Sequence, residues 1–446
     1  EEPLAKDDAA VTDADVAVLI DVLANDNLPQ SETLDVISVS NPAHGTALLN
    51  ADDTVTYTPE SSFTGSDSFT YTVNSSSRGN GSATVYITVN GAVSCDPWEL
   101  PPNVLDLARD DAGNIFVVGT FESSITLGTD TPVTLVAPAG MPGMYIAKYT
   151  ASGTLLWAKE AIGGSGLLRC KAAVDTTGNL YLSGDYYTTL KFYDGNALVA
   201  TLSAEPGSAC EIFLAKYSPT GELTWAESAG GQRDDHGESL AVDSSSSRLY
   251  IGGIFDSTLN LGSGASITTL NSADDDADPF LAQYTLDGTL MWAKQIDGGA
   301  GSVFALASKG TDAVLATGYY EDTITFRGTS PITLTGSLGS SQFVAEFSAT
   351  DGQVRWAQKA NGTSSCMGRA IATDNSGQVY VAGDFRQTCD FYNGANIFSS
   401  LVSNRDTDMF MLKYRSDGTP EWTRQAGGAY SDSMSVTLDE TDNPIF

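Results

Sequence analysis

The sequence predicts an all-β chain in two unlike parts, a β-sandwich followed by a β-propeller. Three observations predict it. A cassette of aromatic, glycine and lysine positions returns about every 66 residues from Val104 onward. No apolar stripe of 3.6-residue period occurs anywhere, so helices are expected to be nearly absent. The first 93 residues lack the cassette and instead show short period-two strands between turn clusters.

In that first segment, Val16 to Leu23 alternates. Leu34 to Val39 and Thr54 to Thr58 read as short strands, and Ser68 to Val73 and Ala83 to Val89 complete the set. The spacing is that of a sandwich, and the length suits one domain of about 100 residues. Residues 94–103, with Pro97, Pro101 and Pro102, read as a short stiff linker, with Trp98 expected to dock on the first blade.

From 104 to 446 the anchors are Trp157, Trp225, Trp292, Trp356 and Trp422, at steps of 68, 67, 64 and 66 residues. Before each stands one strand word: Ile146-Ala147-Lys148-Tyr149, Phe213 to Tyr217, Phe280 to Tyr284, Phe343 to Phe347 and Phe410 to Tyr414. A glycine turn follows the word, and upstream an apolar segment ends near an Asp, a turn and a Gly-bounded strand, as in Asp175 to Gly184 and Asp374 to Gly383. Such a copy cannot bury both its faces alone and needs neighbours. Radial stacking leaves only short protected edges, which favours a propeller over a solenoid. The repeat exceeds the WD40 length of about 40 to 45 residues, which implies long loops or an extra hairpin. Five copies are whole, and a sixth begins at Met434 to Asp439 and stops at Phe446, so the propeller reads as truncated.

Two family resemblances attach to these residues. Gly113-Asn114-Ile115-Phe116-Val117-Val118-Gly119, the Lys-Tyr words and endings such as Gly221-Glu222-Leu223-Thr224-Trp225 resemble the bacterial extracellular repeats named for seven-bladed β-propellers. In the first segment, Asp21 to Asp26, His44-Gly45-Thr46, Val55 to Pro59 and Phe63 to Tyr71 resemble bacterial cadherin-like and immunoglobulin-like modules. Together they imply an immunoglobulin-like sandwich and a propeller on a secreted or cell-surface protein.

Composition constrains the setting. Lys+Arg 22 against Asp+Glu 56 gives a net charge of −34, a surface that repels phosphate backbones and anionic lipids and attracts divalent cations. Nucleic-acid partners are therefore not expected. Neither is direct membrane insertion by this segment, since no apolar run approaches 18 residues. The lack of a signal peptide at its start fits a mature secreted chain. No CxxC pair occurs among the five cysteines, which weakens zinc and redox readings. Cys366 with Cys389 is the better-founded disulfide, because in a meander the start of the first strand lies beside the end of the second. Cys170 with Cys210 is a second candidate that needs the intervening loop to fold back, and Cys95 is left odd.

Calcium takes six to eight oxygens, and clustered Asp and Asn provide them. Asp7, Asp8, Asn25, Asp26 and Asp67 stand at the acidic positions that the cadherin-like resemblance marks, against an alternative in which Asp26 and Asp67 organise turns. The run Asp274, Asp275, Asp276 and Asp278 is a further candidate, against a solvated loop. Asp278 also shares a repeated acidic position with Glu211 and Asp408, which points to blade stability. His44 and His236 form no catalytic or metal-histidine constellation in sequence, so no enzyme is expected. Recurrence assigns the five tryptophans to inter-blade packing. Tyr186, Tyr187, Tyr319 and Tyr320, with Tyr430, remain as a candidate ligand face. The resulting expectation is a non-enzymatic adhesion or scaffold protein, the sandwich acting as spacer or joint and the propeller binding an extracellular glycan or protein. Self-assembly into a filament or surface layer and dedicated carbohydrate binding are the alternatives.

Overall fold

The computed structural model describes residues 5–13, 16–26, 33–61, 63–75, 79–90, 100–163, 169–208, 210–272, 277–337, 339–403, 407–427, 436–438 and 444–445. Cys95, Trp98, Asp274, Asp275, Asp276 and Tyr430 lie outside them. Among the described residues, regular structure is β apart from the 3-10 turn Gly264–Ser266, and no helix is long and apolar enough to cross a membrane. The chain divides into two units, Glu1–Trp98 and Glu99–Phe446.

The first unit is a sandwich. One sheet runs Asp8–Asp13, Gly79–Asn90, Gly65–Ser75, Leu34–Val39, and the other runs Val18–Ile20, Val55–Pro59, Gly45–Leu49. Strand alternation drives Phe69, Tyr71 and Val73 inward from one sheet to meet Val55 and Tyr57 of the other.

In the second unit each copy is a four-stranded antiparallel meander. The third copy, for example, pairs Asp235–Asp243, Arg248–Phe255, Asp278–Thr285 and Leu290–Gly298 in chain order. The first strands of successive copies, Val104–Arg109, Cys170–Val174, Asp235–Asp243, Gly301–Lys309 and Ser365–Thr373, touch one another in turn, which makes them the converging inner row.

The extra length of the repeat is a hairpin inserted between the second and third strands. It does not extend its own blade. Thr189–Asp194 of the second copy pairs with Leu155–Gly163, the outermost strand of the first blade. Thr323–Phe326 pairs likewise with Leu290–Gly298, and Thr388–Asn393 with Val354–Gly362. In the third copy the contact narrows to a bridge between Gly230 and Asn260. An outer strand that would expose unpaired backbone is thus sealed by the copy that follows. Each hairpin turns two alternate side chains inward: Leu190 and Phe192, Leu259 and Leu261, Ile324 and Phe326, Cys389 and Phe391. Burial of each apolar side chain contributes about 2 kcal/mol. The chain enters these four hairpins through Thr188, Ser257, Asp322 and Gln387, all with φ between 54 and 70 degrees by their values of 57, 69, 55 and 61. None is glycine, so each crossing is held against a left-handed strain of roughly 1 kcal/mol.

The tryptophans lie between blades, as their recurrence predicts. Trp157 Nε1 donates to Pro219 O at 3.0 Å, Trp225 Nε1 to Leu286 O at 3.3 Å, and Trp292 Nε1 to Ala349 O at 3.3 Å, each acceptor lying in the next blade's last turn. The turn glycine must come close: a Cβ at Gly221 would stand 2.7 Å from the Trp157 ring, and one at Gly418 2.5 Å from Trp356.

The lysine of the cassette serves the same seam, and one copy carries it with its charges exchanged. In the first blade Lys148 meets Asp110 at 3.0 Å, both side chains nearly buried. The fourth blade has Glu346 at the lysine position and Lys309 at the aspartate position, 2.6 Å apart. Lys309 Nζ also donates to Ser416 O of the next blade at 2.6 Å, as Lys216 Nζ does to Leu286 O at 3.0 Å. Polarity reverses while the pair and the seam donor persist.

Cys366 is bonded to Cys389, tying the fifth copy's inner strand to the hairpin it lends to the fourth blade. Cys170 and Cys210 remain thiols, contrary to the second candidate pairing. Cys170 pairs with Gly184 and so matches Gly368, while Leu190 holds the place of Cys389; neither thiol occupies a bonding position.

Two stability outcomes follow. Glu346→Lys leaves two ammonium groups together in a nearly buried site and is expected to cost about 3 kcal/mol in urea unfolding, with Lys309→Asp in the same chain restoring at least half. Cys366→Ala is expected to cost roughly 3 kcal/mol by the loop-closure term, read by the same titration.

Candidate functional site

The inner strands carry β-bulges at Leu105, Glu238, Phe304 and Arg369, where the register shifts against the second strand. Bulges re-aim side chains. The facing glycines permit them: a Cβ at Gly253 would lie 1.9 Å from His236 O, one at Gly318 1.9 Å from Ser302 O, and one at Gly383 2.0 Å from Met367 O. The bulged residues meet across blades. Glu238 is hydrogen-bonded to Ser302 Oγ and ion-paired with Arg169. The Phe304 ring stacks on Tyr319 with centroids 5.2 Å apart, and the Arg369 guanidinium lies 4.8 Å over Phe304 while its Nε donates to Asp384 at 2.5 Å. Guanidinium, carboxylate and aromatic faces thus gather at one end of the inner row, with Arg369 exposed and Phe304 and Tyr319 half-buried.

A second group lies beside it, between the second and third blades. Asp185 is the penultimate residue of its blade's second strand, Leu180–Tyr186, Cys210 precedes the third, and His236 lies at the start of the next inner strand. His236 Nδ1 is 2.9 Å from Asp185 Oδ2 and 3.7 Å from Cys210 Sγ. Gly237 N donates to Asp185 Oδ1 at 3.0 Å, which fixes the carboxylate. The hydrogen bond to Asp185 raises the imidazole above its ordinary pKa, against the effect of burial. Burial, followed by the charges of Asp185 and Asp234, pushes the Cys210 thiol up to about 12. Sulfur and carboxylate share one ring nitrogen, so the imidazole cannot relay a proton between them in the manner of a nucleophilic triad.

The sequence-predicted residues are distributed differently from the expectation. Tyr186 and Tyr320 are corrections: both are fully buried, because they hold the core position that Phe121, Phe255 and Phe385 fill in other blades. Tyr186 Oη donates to Glu211 at 3.1 Å. Tyr187 and Tyr319 are half-buried; Tyr187 is hydrogen-bonded with Cys210, and Tyr319 joins the bulge cluster. Asp278 is buried in its blade and accepts from Gln295 Nε2 at 2.7 Å, as Asp408 does from Gln425 at 2.6 Å, so its repeated position serves the blade.

In the sandwich, Asp67 is a turn organiser, accepting from Ala43 N, His44 N and the Tyr57 hydroxyl at 3.0, 2.9 and 2.9 Å. Asp26 accepts from Lys6 N at 2.7 Å and from the Tyr71 hydroxyl at 3.1 Å. Asp7 accepts from Thr84 N at 2.8 Å, and Asn25 Nδ2 donates to Asp7 O at 3.0 Å. Asp8 is pushed up to about 6, first by burial and then, against its bond with Tyr71, by Asp26, Asp7 and Asp21. Among the described residues, only Asp185, Cys210 and His236 bring three metal-ligating side chains within 4.8 Å of one another.

Sequence reasoning named Tyr319 but missed the rest of the first group and the whole of the second, for different reasons. Each bulge residue stands five places before the residue that opens the turn (Asp110, Asp243, Lys309 or Asp374), so aligned copies expose a fixed position with changing chemistry. Asp185, Cys210 and His236 come from two copies, and no local spacing signals them.

A cleft of about 410 Å³ at the seam of the second and third blades is lined by Trp225, Glu227, Asp287 and Leu290. Burial pushes the Glu227 carboxyl up to about 7. A raised carboxyl favours folding below its unfolded pKa, and that contribution fades as pH climbs through about 7. Glu227→Gln is therefore expected to raise the melting temperature at pH 8 and to change it little at pH 4.

Comparison with known proteins places these units. Residues 1–88 match the family described as bacterial Ig domain. Over 405 residues the chain is 24% identical to an uncharacterized WD repeat-containing protein of Acanthamoeba polyphaga mimivirus, a match that takes in 76% of this chain and 29% of that protein. The chain thus spans less than a third of that relative's length. Saccharomyces cerevisiae Sqt1 aligns over 73% of this chain and 96% of its own at 10% identity and a TM-score of 0.22. Surface layer protein SbsC, domains 4–9, aligns over 90% of this chain and 91% of its own at 10% identity and a TM-score of 0.14. Neither structural likeness is close enough to carry an argument. The chain joins a bacterial Ig domain to antiparallel repeats that resemble a WD propeller.

Proposed function

We propose that this chain is a secreted or bacterial cell-surface adhesion protein without enzymatic activity. The sandwich serves as a spacer or joint, and the propeller binds an extracellular glycan at the bulges of its inner strands. The bacterial Ig domain and the Cys366–Cys389 bond support the location, since disulfides persist in oxidising compartments. The observation that carries the binding reading is the Phe304, Tyr319, Arg369 and Asp384 cluster. Aromatic faces pack against the apolar face of a sugar, and a fixed guanidinium and carboxylate hydrogen-bond its hydroxyls.

A second reading, assembly into a filament or layer, is favoured by a different observation. Among the described residues, the first copy's hairpin, Ser124–Leu127 with Val133–Val136, pairs with no blade. Such a hairpin is free to add to a strand edge of a second chain.

A polysaccharide and glycan array probed with the intact chain tests the first reading. The expected result is binding to a defined glycan class, weakened at least about 10-fold by Phe304→Ala or Arg369→Ala. An array with no bound glycan, or variants that bind as the parent does, overturns it. Electron microscopy that then shows ordered polymers in place of monomers supports the second.

A further inference from the structure

We propose that Asp185, Cys210 and His236 form a zinc site with three protein ligands and one position open to water. The proposal goes beyond the glycan-binding reading and does not depend on it. Zn–S bonds of about 2.3 Å and Zn–N and Zn–O bonds near 2.0 Å set the ligand atoms of a tetrahedron about 3.3 to 3.6 Å apart. The observed separations are 3.7 Å from sulfur to Nδ1 and 2.9 Å from Nδ1 to Oδ2, and all three atoms lie within 4.8 Å of one another. Two of the three ligand–ligand edges thus already lie within about 0.4 Å of the tetrahedral values, and the third is no longer than 4.8 Å, with the side chains carried on three different strand ends.

The surroundings are those of a built site. Asp185 and Cys210 are fully buried, and Oδ1 of Asp185 is occupied by Gly237 N, which leaves Oδ2 aimed at the ligand position. A backbone partner of this kind orients a metal-bound carboxylate. The Tyr187 hydroxyl steadies the sulfur. His236 keeps 22% of its side chain exposed and supplies the open side. Charge also balances: one divalent ion offsets a carboxylate and a thiolate beside a neutral imidazole, so a neutral assembly replaces an ionisable one. On binding, the thiol proton passes to water and the imidazole ends neutral with its one proton on Nε2, the Nδ1 proton passing to water from an imidazolium or being replaced by one at Nε2 in a neutral ring, and the imidazole–carboxylate hydrogen bond gives way to two metal bonds. Thiolate and imidazole together select zinc over the hard cations that the acidic surface attracts.

Cobalt titration of the intact chain tests this, without a histidine tag or reductant and with Cys95→Ser to remove the linker thiol. The expected result is a thiolate-to-cobalt charge-transfer absorption that saturates at one equivalent and is displaced by zinc. Native mass spectrometry should show one retained zinc per chain. Cys210→Ala should abolish the absorption, and His236→Gln, at a partly exposed position that folding tolerates, should weaken binding by about 100-fold or more. Absence of the absorption in the folded parent, or its persistence undiminished in Cys210→Ala or His236→Gln, overturns the proposal.

Discussion

The loan of a hairpin from each copy to the blade before it is the constraint on which the propeller-like unit depends. A four-stranded blade has an outer edge with unpaired backbone groups, and here the seal for that edge is encoded one repeat downstream. Without the next copy, the blade loses ladder bonds, and the hairpin exposes pairs such as Ile324 and Phe326. Stability is therefore a property of neighbours, as in other repeat arrays, but with strand exchange added to surface packing. The left-handed residues Thr188, Ser257, Asp322 and Gln387 mark where the chain turns out of its own sheet. In the first copy, whose hairpin meets no blade among the described residues, Ser123 holds that place without a positive φ.

Securing the outside in this way leaves the inner strands free to vary. Their bulges need only a glycine opposite, and the side chain presented changes from Leu105 to Glu238, Phe304 and Arg369. The seam shows the complementary behaviour, in which chemistry is kept while residues change. Lys309 and Glu346 reverse the polarity of Asp110 and Lys148, yet the donor to the next blade's turn carbonyl remains.

Much of this architecture was legible in the sequence because repetition reports on packing. Five tryptophans at nearly even spacing marked the seams, and the surplus over a WD repeat implied long loops or an extra hairpin. The partner of that hairpin was not legible, since crossing to the preceding blade leaves the same local alternation as staying home. Repetition also misled: Tyr186 and Tyr320 looked irregular as Tyr-Tyr pairs, but each fills the aromatic core position of every other blade. Cys366 and Cys389 were identified by adjacency within one copy, whereas Asp185, Cys210 and His236 converge only through contact between copies. Carboxylates were the least legible class, because Asp67 as turn organiser and a calcium ligand would read alike in sequence.

The crossing hairpin is most directly tested by trapping it. Asp297 in the third blade's outer strand faces Thr325 in the hairpin of the fourth copy, and Thr333 lies one strand farther out. In the folded chain, Asp297→Cys with Thr325→Cys should form a disulfide within the molecule on mild oxidation, and Asp297→Cys with Thr333→Cys should not. Failure of the first pair to bond, or equal bonding by both, would show that the hairpin does not cross and would contradict the account.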